Sequence, residues 1–192
     1  AMGGLTYGLS TVEMAAAFSA FANSGVYNSP KMYTEVRDSN GETVLKNEGE
    51  THVAMKETTA YFMNQMLTSV VNAGTGTSAK FSGMTIAGKT GTSNDSQDAW
   101  FCGYAGNTVA VGWMGYDQPK PLGSRETGGG LVLPIWVDFM RTALKGVPET
   151  VRIQPESVVG RDGLYYYRDP VKGGDAFSGD LDARDLVRDQ IF

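Results

Sequence analysis

The chain has 192 residues, enough for one or two domains with a buried core, and 41% apolar and 19% charged residues are ordinary for a globular protein. A net charge of −5, with lysine and arginine scattered rather than clustered, argues against a general nucleic-acid binder. One cysteine (Cys102) and one histidine (His52) exclude an intrachain disulfide and a multi-cysteine metal site, and argue against a histidine-based triad or zinc centre.

Ser10-Thr11-Val12-Glu13 reads as a capping box. The helix it opens carries Met14, Ala15, Ala17, Phe18, Phe21 and Ala22 and stops at Asn23-Ser24-Gly25, with Gly25 at the C′ position. Residues 26–37 are strand-like but broken by Pro30, and Asp38-Ser39-Asn40-Gly41 is a hairpin turn returning through Thr43-Val44-Leu45. Residues 47–50 are loop, and His52 is expected on a loop with no special role. The strongest helical pattern runs from Lys56 to Asn72, with Phe62, Met63, Met66, Leu67, Val70 and Val71 as its apolar face. Three strands follow at 85–92, 99–104 and 109–116, and their short links imply antiparallel pairing. Cys102 is expected to be a small buried residue on the second of these. After Gly128-Gly129-Gly130, a last core helix has Pro134 near its first turn and Ile135, Trp136, Phe139, Met140 and Leu144 as its buried face. The region 1–148 is taken as one domain portion. From 149 to 192 the chain is more polar and irregular, with Tyr165-Tyr166-Tyr167 as a strand candidate and an Asp/Arg-rich end. The order of elements predicts an α+β fold, an antiparallel three-strand meander packed by helices. No run is long enough to span a membrane, and no signal peptide is seen. The start, Ala1-Met2-Gly3-Gly4-Leu5, reads as internal to a longer protein.

Lys89-Thr90-Gly91-Thr92 is the chemically densest stretch. Lysine can supply positive charge, the hydroxyls can hold a carboxylate, and glycine lets a substrate approach the backbone closely. As a bare tetrapeptide it is equally an edge-strand charge beside a β-favouring threonine pair. Gly83 through Thr90 also matches the P-loop pattern, but polar residues precede it and a turn, Gly91 to Ser96, follows it, where a P-loop needs a strand and then a helix. Thr77-Ser78-Ala79-Lys80 and Thr43-Val44-Leu45-Lys46 have nucleophile-to-lysine spacing but begin no apolar helix, and read as solvated positions. Asn94, Asp95 and Asp98 fit no EF-hand loop and read as a polar turn. Trp100, Phe101, Tyr104, Trp113 and Tyr116 read as core and sheet-face residues rather than a base-stacking platform. No cofactor and no metal is expected.

In its context the tetrapeptide says more. Ala87-Gly88-Lys89-Thr90-Gly91-Thr92-Ser93-Asn94, then Asp98-Ala99-Trp100-Phe101-Cys102-Gly103-Tyr104, then Gly115-Tyr116-Asp117 resemble the C-terminal part of the transpeptidase domain of class A penicillin-binding proteins, whose signature set includes K-T-G. Gly4-Leu5-Thr6-Tyr7-Gly8 with Thr11 to Ala15, and Thr127-Gly128-Gly129-Gly130 with Leu133-Pro134-Ile135-Trp136, extend the resemblance over about residues 3–145. The family's other two motifs, S-x-x-K and S-x-N, occur nowhere in the 192 residues. The resemblance therefore implies a partial serine transpeptidase/β-lactamase-like fold lacking its N-terminal part. For the parent protein it implies an extracytoplasmic, membrane-anchored D,D-transpeptidase that cross-links peptidoglycan stem peptides through an acyl-serine and is acylated by β-lactams. It assigns Lys89 to positive charge and proton transfer, Thr90 and Thr92 to the substrate carboxylate with Gly91 between them, and the Thr92 N–H to the oxyanion. The partners implied are the stem peptide, β-lactam antibiotics and the missing N-terminal part of the same protein, which would carry the membrane anchor. Without a nucleophile the chain is expected to be inactive alone. A serine β-lactamase would share the Lys-Thr-Gly strand, but the Trp-rich meander and the Leu133-Pro134-Ile135-Trp136 ending favour the penicillin-binding proteins. A non-catalytic binding module and a P-loop nucleotide binder complete the alternatives.

Overall fold

Ser10 opens the first helix, α1 (Thr11–Ala22), in a computed structural model that describes residues 8–168. The capping box forms in full: the Glu13 N–H donates to Ser10 Oγ (3.2 Å), and the Ser10 N–H and hydroxyl donate to Glu13 Oε2 (2.8 and 2.7 Å). Those two bonds, the backbone one first, hold the Glu13 carboxyl below its ordinary range. The helix ends one residue differently from the expectation. Asn23 is the C-cap, Ser24 takes the left-handed C′ position (φ 52°), and Gly25 at C″ closes the Schellman bond to Ala20 O at 2.8 Å. The segment Gly4 to Tyr7 lies outside the described residues.

The following segment folds as a two-tier hairpin. The predicted arms are β2 (Glu35–Arg37) and β3 (Thr43–Lys46), and a further pair, β1 (Val26–Asn28) with β4 (Thr51–Val53), was not read from the sequence. The turn is not a two-residue Asn-Gly type, since only Gly41 has positive φ. Asp38 Oδ1 instead gathers the N–H groups of Asn40 and Glu42, both at 2.9 Å. His52 lies on β4, not on a loop, with its ring 4.9 Å from that of Tyr27.

Helix α2 (Glu57–Ala73) buries Ala60, Tyr61, Asn64, Leu67 and Val71. The face is rotated from the predicted stripe, and Met66 is exposed. Asn64 lies within the buried face. Its side chain accepts a buried hydrogen bond from the Tyr104 hydroxyl at 3.0 Å, so a polar residue sits inside the apolar face at little cost.

The predicted meander is present: β5 (Ala87–Thr92), β6 (Ala99–Ala105) and β7 (Thr108–Met114) form an antiparallel sheet in that order. The fold is thus α+β, with the sheet sandwiched between helices. Ala87 and Tyr104 share one core with Leu67 of α2 and with Phe18 and Phe21 of α1. The opposite face of Ala99, Phe101 and Ala105 packs on α3 (Leu133–Ala143), reached through a wide π-helical turn at Gly128–Val132. Trp136 anchors α3. Its ring meets Phe101 edge-on at 4.8 Å, and its indole N–H donates to Ala110 O at 2.9 Å. Trp136, Met140 and Leu144 are buried as expected, whereas Ile135 and Phe139 are 60% and 56% exposed. Leu133 and Val137 take their places, because the helix turns its 133/136/137/140/144 stripe to the sheet.

Phe101 and Tyr104 are fully buried and Trp100 is partly buried, but Trp113 and Tyr116 are exposed at the sheet's end. Cys102 is buried on β6, and burial pushes its thiol from 9.0 up to about 11. The unfolded chain therefore ionises this group first. Its stabilising contribution is complete below pH 9 and is lost as pH rises towards 11. Cys102→Ala is expected to flatten the fall in unfolding midpoint between pH 9 and 11; a variant profile as steep as the native one would contradict this.

The described residues divide into two units, one ending at Ile153 and one beginning at Gln154. The second contains the hairpin of β8 (Val158–Arg161) and β9 (Leu164–Tyr167), the latter holding the predicted tyrosine strand. Its turn, Asp162-Gly163 with φ of 52° and 78°, is an Asp-Gly hairpin turn. The Asp/Arg-rich end lies outside the described residues.

Candidate functional site

All four predicted site residues, Lys89, Thr90, Gly91 and Thr92, lie on β5, one of the two edge strands of the sheet among the described residues. Lys89 is exposed and makes no ion pair among the described residues. Its Nζ donates to Thr90 O at 2.7 Å and approaches Thr90 Oγ1 at 3.5 Å. Lys89 pairs with Cys102 and Thr90 with Phe101 across the sheet, so lysine and threonine start from opposite faces and converge at the strand's free edge.

Two segments that the sequence reading did not assign to the site hold the hydroxyls. The turn after α2 brings Thr75 Oγ1 to 2.9 Å from Thr90 Oγ1. The Thr127–Gly130 segment brings the Gly128 N–H to Thr92 Oγ1 at 3.2 Å, while Thr127 Oγ1 accepts from the Gly130 N–H at 3.1 Å. The three segments touch: a methyl added at Gly129 would sit 3.7 Å from both Thr75 O and Thr90 Cγ2. Gly128 has no such room, since a methyl there would overlap the carbonyl oxygens of Trp100 and Gly91. The density of glycine in Gly74-Thr75-Gly76 and Gly128-Gly129-Gly130 was the available signal, because glycine marks close backbone approach.

Asp98 braces the end of β5. It accepts from Ser93 Oγ (3.1 Å) and from the Trp113 indole N–H (2.9 Å), and its own N–H donates to Ser93 Oγ (2.8 Å). Asp98 is thereby occupied as a hydrogen-bond acceptor, and among the described residues no three His, Cys, Asp or Glu side chains group as a metal site.

The competing motifs do not assemble. Lys89 and Thr90 sit inside a strand, and only a single 3₁₀ turn at Asn94–Ser96 follows, so the helix N-terminus that a phosphate needs is missing. Lys80 Nζ donates to Asn72 O at 2.8 Å and caps the C-terminus of α2. Thr43 and Lys46 lie three apart on strand β3, hence on opposite faces, and Lys46 pairs with Glu48 at 2.6 Å. A cleft of about 480 Å³ lined by Phe81, Met84, Arg141 and Leu144 does not include β5. Residues 89–92 form an open ledge rather than a closed pocket: one wall with lysine at its edge and two hydroxyls held from behind.

The family described as the penicillin binding protein transpeptidase domain matches residues 1–141. Penicillin-binding protein 1A of Neisseria lactamica is 37% identical over 166 residues, which is 82% of this chain and 21% of that protein. Its counterpart in Pseudomonas aeruginosa is 45% identical over 122 residues, 63% of this chain and 14% of that protein. The chain thus spans about a fifth of the curated relatives it matches. Among solved structures, penicillin-binding protein 1A from Haemophilus influenzae superposes with a TM-score of 0.72 at 23% identity, covering 79% of this chain and 28% of that one. The D,D-transpeptidase domain of a peptidoglycan glycosyltransferase from Eggerthella lenta gives 0.56 at 34% identity, over 70% and 31%.

Proposed function

This chain belongs to the penicillin-binding protein transpeptidase family, and from that premise we propose that it supplies the Lys-Thr-Gly-Thr wall of a peptidoglycan D,D-transpeptidase site. The observation that carries the reading is the ledge itself, an exposed lysine with no ion pair among the described residues beside two hydrogen-bonded threonine hydroxyls on an edge strand.

In the reaction proposed, a serine outside this sequence attacks the penultimate D-Ala carbonyl of a stem peptide. The tetrahedral intermediate collapses, D-Ala leaves with a proton, and an amine of a neighbouring stem attacks the acyl-serine to form the cross-link. β-Lactams acylate the same serine and stay bound. Lys89 supplies positive charge where the serine proton is moved. Thr90 and Thr92 donate their hydroxyl protons to the terminal carboxylate of the stem peptide or β-lactam. The Thr92 N–H is one oxyanion donor, a contact whose loss slows such reactions roughly 10²–10³-fold. Support for the hydroxyl role comes from Thr92, whose oxygen already accepts from the Gly128 N–H, which leaves its proton for a ligand.

No helix among the described residues is long and apolar enough to cross a membrane, and the proposed extracytoplasmic location rests on an anchor elsewhere in the parent protein. Because S-x-x-K and S-x-N are absent, the chain alone is proposed to be inactive. After incubation with a fluorescent penicillin, its intact mass is expected to remain 20.6 kDa with no adduct, while the full-length protein takes up label. Covalent label on this chain would overturn the proposal and point to Thr77, Ser78 and Lys80.

A further inference from the structure

Thr75 lies in a turn that is fastened to the helix before it. The Gly74 and Gly76 N–H groups both donate to Val70 O, at 2.9 and 3.1 Å. A methyl on Gly74 would come within 2.9 Å of that same carbonyl, so only glycine lets the backbone lie so close to α2. Lys80 Nζ, on Asn72 O at 2.8 Å, ties down the next stretch of chain. The result is a threonine whose position is set by α2 and whose hydroxyl, 2.9 Å from Thr90 Oγ1, contacts the ledge from behind.

A hydroxyl has one proton to give and can accept two. Either of the pair could be the donor. If Thr90 donates to Thr75, its proton points away from the ledge. If Thr75 donates to Thr90, the Thr90 proton is free. Lys89 can only donate, and its approach to Thr90 Oγ1 at 3.5 Å adds a second donor facing that oxygen. A carboxylate on the ledge accepts only, so it selects the second arrangement: Thr75 to Thr90, and Thr90 to the ligand. Such a chain of hydroxyls strengthens each member. Thr92 already has this form, with the Gly128 N–H in the place of Thr75.

We propose that Thr75 is a positioning residue, one that turns the Thr90 proton towards the carboxylate of the substrate and so contributes to selection for carboxylate-bearing ligands. The inference rests on the transpeptidase reading above and adds a residue outside the Lys-Thr-Gly-Thr strand. Thr75 itself touches no reacting atom.

The test is the second-order acylation rate of the full-length protein with a penicillin and with the methyl ester of the same penicillin. Thr75→Val is expected to slow the acid about threefold to tenfold, the worth of one hydrogen bond, and to leave the ester unchanged. Thr75→Ser is expected to restore the acid rate. If the valine variant fails to fold, Thr75→Ala takes its place in the same comparison. Equal slowing of acid and ester would mean that Thr75 only shapes the turn, and would overturn the proposal, as would no slowing of either. If the unmodified protein forms no adduct with either compound, the transpeptidase reading itself falls and takes this inference with it. An adduct in the unmodified protein with no acid-specific loss in the variant sinks the Thr75 role alone.

Discussion

Lys89→Ala in the full-length protein is expected to slow acylation by a fluorescent penicillin by roughly 10²–10⁴-fold, the range typical of a lost proton-transfer group. Its effect on folding should be small. The side chain is exposed, makes no ion pair among the described residues and donates only to Thr90, so removing it leaves no buried partner unsatisfied. Surface changes of this kind stay within about 0.5 kcal/mol. Lys89→Arg should rescue poorly, because a planar guanidinium neither fits the space of an ammonium nor gives up its proton. Acylation rates and thermal melts on the same preparations separate the two effects. A Lys89→Ala protein that labels at the native rate would remove lysine from the mechanism, and one that melts far below the native protein would make it structural.

Gly128→Ala should have the largest effect on stability. The added methyl overlaps the carbonyl oxygens of Trp100 and Gly91, which belong to β6 and β5. These are backbone atoms of a paired register, Gly91 facing Trp100, and neither can step aside without opening the sheet. Either the Thr127–Gly130 segment lifts off β5, losing the hydrogen bond to Thr92, or the strands part. A cost above about 4 kcal/mol is expected, in the tail reserved for core disruption. Gly130→Ala is the control. A methyl there meets only Thr127 Oγ1 at 3.4 Å, and the change should be nearly silent. Melting curves of the two variants decide the matter; a Gly128→Ala midpoint equal to that of Gly130→Ala would mean that the close approach does not exist in solution.

Local signals carried the elements, and long-range contacts escaped them. The capping box of α1 and the three apolar runs of the meander are local, and both were readable. The Lys-Thr-Gly-Thr stretch was readable as chemistry because its residue types are unusual together. Its supports were not. Thr75 and Thr90 are fifteen residues apart, and Thr92 and Gly128 are thirty-six apart, with no periodicity linking them. The rotation of α2 was hidden for a related reason: Asn64 counts as polar in any pattern, and only its distant partner Tyr104 makes its burial tolerable. The pairing of β1 with β4 left no alternating pattern, since neither face of β4 is buried.

Among the described residues β5 pairs only with β6, so its other edge is open. An unpaired strand edge is a template on which another chain can add itself, the first step towards aggregation. In β5 that edge bears a lysine, and a glycine two positions on weakens any strand that would pair there. The residue proposed to serve the chemistry thus also serves as a gatekeeper against self-association. Solubility and the proposed chemistry thus meet at Lys89, and a neutral replacement is expected to weaken both.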